Sequence, residues 1–249
     1  MSIEVSGSPD DMSRLRSRIS NEWERLGEST PFHSVLTDKR FLPEEFRNNE
    51  EAFWNSGGTD VADIRAAVAR NYPDFDYSGT CIELGCGVGR VTMFLAAMFE
   101  KVVALDISQP HIEIARKRAA ELGLNNVEFV NVATSELPEP PDCRLFYSRI
   151  VLQHNPPPIM KETLESMLLR VMNSGAAMFQ LPVYMRDYDF SLGEYLTTPS
   201  KGMEMHCLPQ REVFQILDKT GFNLQEVRET NDIGQYGDWI SNTFFAIKK

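Results

Sequence analysis

Between two short apolar runs the chain places three glycines within five residues, Gly85, Gly87 and Gly89, and few folds can use such a turn. Glycine loses more freedom than any other residue when fixed, so a cluster of this kind marks backbone at positive φ or backbone that a ligand must touch. The run before it, Cys81-Ile82-Glu83-Leu84, is bounded by Gly79 and Gly85 and reads as a buried parallel strand. Val91 to Phe99 holds no breaker and reads as a helix. The turn then sits at a helix N-terminus, where free N–H groups favour a carboxylate or phosphate. Lys101 to Leu105 reads as a second strand that ends in Asp106, 21 positions after Gly85. A doubly wound sheet sets there the acid that accepts hydrogen bonds from ribose hydroxyls.

A dinucleotide fingerprint needs glycine where Arg90 stands, which counts against a pyrophosphate ligand, and no Tyr-x-x-x-Lys pair supports a nicotinamide oxidoreductase. The pattern E-x-G-x-G-x-G, from Glu83 to Gly89, resembles motif I of the class I S-adenosylmethionine-dependent methyltransferases. The resemblance continues through Asn126 to Val132, similar to the third strand that leads to adenine contacts, and Leu145 to His154, similar to the fourth strand and its loop. Together these cover roughly Thr80 to Leu181. The resemblance implies an α/β, Rossmann-like sheet of seven strands, mostly parallel with the last strand antiparallel, helices on both faces and an N-terminal helical cap. It implies S-adenosylmethionine as cofactor, held by Glu83, Gly85, Cys86, Gly87, Gly89, Arg90, Asp106, Ile107, Val132, Ala133 and Arg149. Asp106 takes the ribose in that reading, Arg90 the methionine carboxylate, and Glu83 the cofactor's ammonium network. Where the family carries an acid after the third strand, this chain has Asn131-Val132-Ala133-Thr134.

Around this centre the periodicity assigns further elements. Leu15, Ile19, Trp23 and Leu26 make one face of an amphipathic helix over Met12 to Leu26. An aromatic-rich stretch from Phe32 to Trp54 is too irregular for a bundle and is expected to pack as a cap. Asn55 to Asp60 reads as a loop, with Thr59 or Asp60 capping a helix over Val61 to Asn71. The expected organisation is therefore a cap over residues 1–60 and a methyltransferase domain over residues 61–249. Helices are expected over Pro110 to Gly123, Pro158 to Met172 and Gln210 to Thr220, and strands over Asp142 to Arg149, Gly175 to Leu181, Phe222 to Arg228 and Thr243 to Ile247. Residues 182–208 are left as an insertion rich in aromatics, with Tyr184, Tyr188, Phe190, Tyr195 and His206. Ligands of open α/β sheets bind at the carboxyl ends of the strands, so this insertion is expected to line the acceptor pocket.

Formal net charge is −11, from 25 basic and 36 acidic residues, which opposes tight binding to a phosphate backbone. No apolar run approaches the ~20 residues of a spanning helix, and the first residues lack the apolar core of a signal peptide. A cytoplasmic monomer or homodimer, with no membrane and no nucleic acid as partner, is the expectation. Cys81, Cys86, Cys143 and Cys207 form no CxxC pair, so neither a metal site nor a disulfide framework is expected. For proton removal the leading candidate is His154, in the loop after the fourth strand, where certain small-molecule O-methyltransferases that this chain resembles use a histidine. His206 is the second candidate, His33 could reach in from the cap, and His111 is expected to face solvent. The expected function is methylation of a small molecule, at a sugar or natural-product hydroxyl. N-methylation of a small amine and a non-catalytic cofactor-binding role are the alternatives.

Overall fold

A computed structural model of the chain describes residues 2–133, 141–230 and 238–249. Thr134, the last residue of the expected adenine-side segment, lies outside the described residues. The chain divides into two compact units, residues 20–144 and residues 1–19 with 145–249.

In residues 20–144 the elements follow as the end of α1 (Pro9–Ser29), α2 (Pro31–Val35), α3 (Phe46–Asn71), β1 (Thr80–Leu84), α4 (Thr92–Leu95), β2 (Lys101–Asp106), α5 (Gln109–Glu121) and β3 (Val127–Asn131). The three strands are parallel, with Glu83 opposite Ala104 and Asp106 opposite Asn131. Their apolar side chains are buried because helices cover them, and β2 is buried from Val102 to Asp106.

The expected loop over Asn55 to Asp60 is instead the middle of α3, which runs unbroken for 26 residues. Gly57 and Gly58 are there for proximity: a Cβ at Gly57 would overlap the carbonyl oxygen of Arg90, and one at Gly58 would press on the Phe94 ring. A glycine pair that signals a turn in sequence serves here as the flat spot on which a helix crosses the glycine turn. The helix expected over Val91 to Phe99 shrinks to Thr92–Leu95, because several bonds around it, such as Ala97 N–H to Phe94 and Met98 N–H to Leu95, reach back three residues rather than four. The aromatic stretch packs on the glycine turn. Phe41, Phe53 and Trp54 are buried with Val88 of the glycine turn, and Phe32, Val35, Phe46 and Ile114 pack on them.

The second unit carries β4 (Cys143–Ser148) from Leu145 on, a 3-10 turn over Leu152–His154, α6 (Pro157–Leu169), β5 (Val171–Met185), α7 (Leu192–Thr197), α8 (Gln210–Lys219), β6 (Phe222–Glu229) and β7 (Trp239–Lys248). The strand order is β3-β2-β1-β4-β5-β7-β6, a seven-stranded sheet in which β7 is antiparallel to both its neighbours. β5 runs past Pro182, where sequence reading stops it, because β7 offers partners as far as Met185. The register shifts between Pro182 and Tyr184, as befits a residue with no N–H to donate. Among the described residues no helix is long and apolar enough to cross a membrane.

Candidate functional site

The glycine turn is closed onto β2 by hydrogen bonds that only a chain of this shape can make. Gly85 N–H and Cys86 N–H both donate to the Leu105 carbonyl, at 2.7 and 3.0 Å. Gly87 N–H donates to one oxygen of Asp106 at 2.7 Å, and Ser108 N–H to the other at 2.9 Å. Gly85, Gly87 and Gly89 have φ of 75°, 53° and 84°, so each sits where a side chain would be strained. Val35 of the cap lies on the turn, 2.8 Å from where a Cβ at Gly87 would be.

Glu83 is buried at the end of β1 and accepts a hydrogen bond from the Thr92 hydroxyl at 2.6 Å. Burial pushes its carboxyl up to about 7, against the opposing effects of the Thr92 hydrogen bond and the Arg90 charge. Arg90 is buried too. Its guanidinium pairs with Asp60 of α3 at 2.5 Å and donates to the Ser56 hydroxyl at 3.2 Å. The residue expected at the methionine carboxylate is thus also the bolt that fastens α3 to the turn.

His111, expected in solvent, is buried beneath the cap instead. Its Nε2 lies 3.1 Å from the Pro31 carbonyl oxygen and 2.9 Å from the Ser34 hydroxyl. A carbonyl only accepts, so Nε2 carries the proton and Nδ1 is left a bare lone pair. That Nδ1 and the Ser108 hydroxyl are both buried without a partner. They converge on Gly27 of α1, where a Cβ would stand 2.5 Å from Ser108 Oγ and 2.9 Å from His111 Nδ1. Two orphaned polar atoms close in sequence to a clamped carboxylate suit a ligand rich in hydroxyl and amine groups, so this set fits a ribose-bearing cofactor. Ile107 follows Asp106 and accepts from the Asn131 amide at 3.4 Å; Val132 N–H donates to the Asp106 carbonyl at 2.9 Å, and Ala133 N–H to Asn131 Oδ1 at 2.8 Å. Ten of the eleven expected cofactor residues therefore gather within residues 20–144; Arg149 follows β4 in the other unit.

In that unit the two candidate histidines share one buried cluster. His154 Nδ1 lies 3.1 Å from the Glu204 carbonyl oxygen and Nε2 lies 3.3 Å from the Gln153 amide nitrogen, so Nδ1–H donates and Nε2 accepts. His206 Nδ1 lies 2.7 Å from the Tyr188 hydroxyl. Burial lowers both imidazoles to about 4. Sequence reasoning missed what orients them. Gln180 of β5 accepts from Ile150 N–H at 2.8 Å and donates to Gln153 at 3.1 Å and Ser241 at 2.5 Å. Ile150 itself has φ of 58°, a rare conformation for a β-branched residue and a local store of strain just after β4. Nothing in the pattern of the sequence announces a strained isoleucine. Glu204 accepts from Tyr195 at 2.7 Å and from Arg18 at 3.1 Å, and Arg18 stacks over the Tyr195 ring at 4.0 Å.

The model of the family described as "Methyltransferase domain" matches residues 81–175. The magnesium protoporphyrin IX methyltransferase of Synechocystis PCC 6803, solved with bound S-adenosylmethionine, superposes with a TM-score of 0.60 at 16% identity, covering 93% of this chain and 97% of that one. Residues 81–175 thus resemble a methyltransferase domain, and the chain has the fold of the class I, S-adenosylmethionine-dependent methyltransferases. S-adenosylmethionine is the cofactor of that family.

Among curated proteins, a tRNA/tmRNA (uracil-C(5))-methyltransferase of Nitratiruptor sp. is 39% identical over 62 residues, 25% of this chain and 17% of that protein. A tRNA (uracil-5-)-methyltransferase homolog A of Mus musculus is 31% identical over 84 residues, 34% of this chain and 14% of that protein. The chain thus matches about a sixth of the length of these relatives. Their names overturn two expectations, a small-molecule acceptor and the absence of nucleic acid as partner. Net charge misled because it measures long-range attraction to phosphates, and says nothing of whether a single base can enter a pocket.

Proposed function

We propose that this chain transfers the methyl group of S-adenosylmethionine to a base of an RNA acceptor, in the cytoplasm. The observation that carries the transfer is the glycine turn closed onto Asp106, with Glu83 and the orphaned Ser108 and His111 atoms nearby in sequence. The names of the curated relatives support the acceptor class. S-adenosylmethionine supplies a methyl group already activated on sulfur. The chain's own contribution is to bind, orient and dehydrate, and alignment of this kind is worth roughly 7 to 11 kcal/mol at best. Asp106, fixed by two backbone N–H groups, is preorganised to accept from vicinal hydroxyls on its remaining lone pairs. Glu83, poised at about 7, takes on charge when a cation binds near it.

The ring position methylated in the relatives is not carried over. A carbon acceptor needs a nucleophile that raises its electron density, and the four cysteines are all buried. Burial pushes the Cys81 and Cys86 thiols up, and that of Cys207 to about 12, so none of these three offers a thiolate at neutral pH. A nitrogen or oxygen of the base is the acceptor atom this chemistry favours.

The test pairs calorimetric titration with S-adenosylhomocysteine and transfer of labelled methyl groups from S-adenosylmethionine into total tRNA. Micromolar binding, with label that becomes acid-soluble after nuclease treatment, is the expected result. Absence of binding overturns the cofactor reading; binding without nuclease-sensitive label overturns the RNA acceptor.

A further inference from the structure

We infer that Gln180 and Gln153 are positioning residues that hold His154 as a neutral strut with its proton on Nδ1, and so take it out of proton transfer. This rests on the methyl-transfer reading above and deepens it, because the loop concerned follows β4 at the carboxyl end of the strand, where ligands of such sheets bind. The assignment follows from a relay of hydrogen bonds whose two ends are backbone groups with fixed roles. At one end the Ile150 N–H, which can only donate, donates to Gln180 Oε1 at 2.8 Å. That turns the amide nitrogen of Gln180 to Gln153 Oε1, at 3.1 Å, and to the Ser241 hydroxyl. With its own carbonyl oxygen facing Gln180, Gln153 presents its amide nitrogen to His154 Nε2 at 3.3 Å. At the other end the Glu204 carbonyl, which can only accept, lies 3.1 Å from His154 Nδ1. Every donor points the same way, so both amide orientations and the tautomer agree whether they are worked out from one end or the other.

A general base needs a lone pair within reach of the proton it takes. In His154 the Nε2 lone pair faces an amide N–H, and Nδ1 already carries the proton. A second proton on Nε2 would set two N–H groups against each other in a buried place. To relieve that, Gln153 would have to turn over; Gln180 opposes the turn, and Gln180 is itself held by the Ile150 N–H. The charged groups around the imidazole give no help. The Glu204 carboxylate is taken up by Arg18 and Tyr195, and a charge on His206 would repel one on His154. What the relay supplies is position. It ties the loop after β4 to β5 through Gln180, to β7 through Ser241 and to the insertion through Glu204, and the His206 N–H adds a bond to the Gln153 backbone carbonyl at 2.8 Å. It also secures Ile150 at φ of 58°, which a β-branched residue keeps only where its surroundings over-determine it.

The experiment uses the full chain with ¹⁵N-labelled histidine, the His154 signals being those lost in His154→Asn. Two-bond ¹H–¹⁵N spectra should show His154 neutral, protonated on Nδ1 and bare on Nε2, from about pH 5.5 to 8.5. Gln180→Met removes the link that keeps Gln153 from turning, so a second proton should appear on His154 Nε2 at the acid end of this range. Transfer of labelled methyl groups into total tRNA gives the second readout. The amide of His154→Asn can replace Nδ1–H on the Glu204 carbonyl but cannot titrate. It should keep the rate within about fivefold, with the shape of the pH profile unchanged, where loss of a true base would cost roughly 10² to 10⁴. His154→Leu, which cannot make that bond, should lose more than His154→Asn. A proton on Nε2 of the unaltered chain, an unchanged His154 spectrum in Gln180→Met, or a base-sized loss in His154→Asn with S-adenosylhomocysteine binding intact overturns the inference. The spectra of the unaltered chain decide it even if Gln180→Met does not fold. They are read without turnover, so a chain that labels no tRNA would defeat the RNA acceptor, while a proton held on Nδ1 would leave the relay standing.

Discussion

Residues 20–144 and residues 145–249 both bury ionisable side chains, and they do so with opposite consequences. In the first unit burial holds the Glu83 carboxyl protonated up to about 7; in the second it holds His154 and His206 unprotonated down to about 4. The cause is the same, desolvation of the charged form, but an acid and a base answer it in opposite directions. The supporting contacts differ as well. Around Glu83 and Asp106 the partners are Thr92, Gly87 and Ser108, close along the chain. Around the histidines they are side chains brought together from far apart, Arg18 with Glu204 and Gln180 with Ser241.

The largest way to sharpen this contrast is by pH. Between about 4.5 and 7 the folded chain keeps a proton on Glu83 that the unfolded chain has lost, so this group makes stability fall as pH rises. Between about 6.5 and 4 the unfolded chain protonates the histidines while the folded chain does not, so they make stability fall as pH drops. Each shift corresponds to roughly 3 kcal/mol at most. In Glu83→Gln, urea denaturation should show the difference in stability between pH 7 and pH 5 moving upward by about 2 to 3 kcal/mol relative to the unaltered chain. His154→Gln with His206→Gln should move it downward. Curves that stay parallel would mean that neither region carries a neutralised group.

Next in size is Asp106→Ala. It leaves Gly87 N–H and Ser108 N–H without their charged acceptor, a loss of about 2 to 3 kcal/mol on top of the lost ligand contact. Affinity for S-adenosylhomocysteine should fall by two orders of magnitude or more, measured by calorimetry. In the other unit Arg18→Ala removes the ion pair with Glu204, two bonds to carbonyls and the stacking on Tyr195. The pair is partly exposed, so about 2 kcal/mol is expected by denaturation, with Arg18→Lys recovering less than half because an ammonium cannot span the same four partners. An effect of Arg18→Ala within a few tenths of a kcal/mol would show that the insertion does not depend on its distant clamp.

What was legible in the sequence follows the same division. The strand-turn-strand core and the position of Asp106 at the end of its second strand are readable because local pattern dictates them: glycines that need positive φ, apolar runs and an acid at a set distance; the seven strands with an antiparallel last one came from the family resemblance. The reading of Asn55 to Asp60 as a loop failed because a glycine pair looks alike whether it breaks a helix or lets one approach a carbonyl. The burial of His111 could not be read, since it is imposed by Pro31 and Ser34 of a segment about 80 residues earlier. Gln180, Tyr188 and Glu204 carry no motif at all; only the fold makes them neighbours of the histidines. The acceptor class was misread from net charge, a bulk quantity used on a local question.

The smallest expected effect tests whether long-range support in the second unit reaches even its minor helix. α7 begins at Leu192 after Ser191, whose side chain makes no cap. The cap comes instead from Glu4, whose carboxylate accepts the Leu192 N–H at 2.5 Å, while Ile3 bridges to Phe190. A carboxylate at a helix N-terminus satisfies a free donor and meets the positive end of the helix dipole. Glu4→Gln keeps the acceptor oxygen and removes the charge, so about 0.5 to 1 kcal/mol should be lost locally. Hydrogen exchange of the α7 amides should quicken roughly two- to fivefold while those of β1 and β2 do not change. If the β-strand amides quicken equally, the two units unfold together and share their stability; if only α7 responds, the stretch beside His206 opens on its own, set by a residue nearly two hundred positions away.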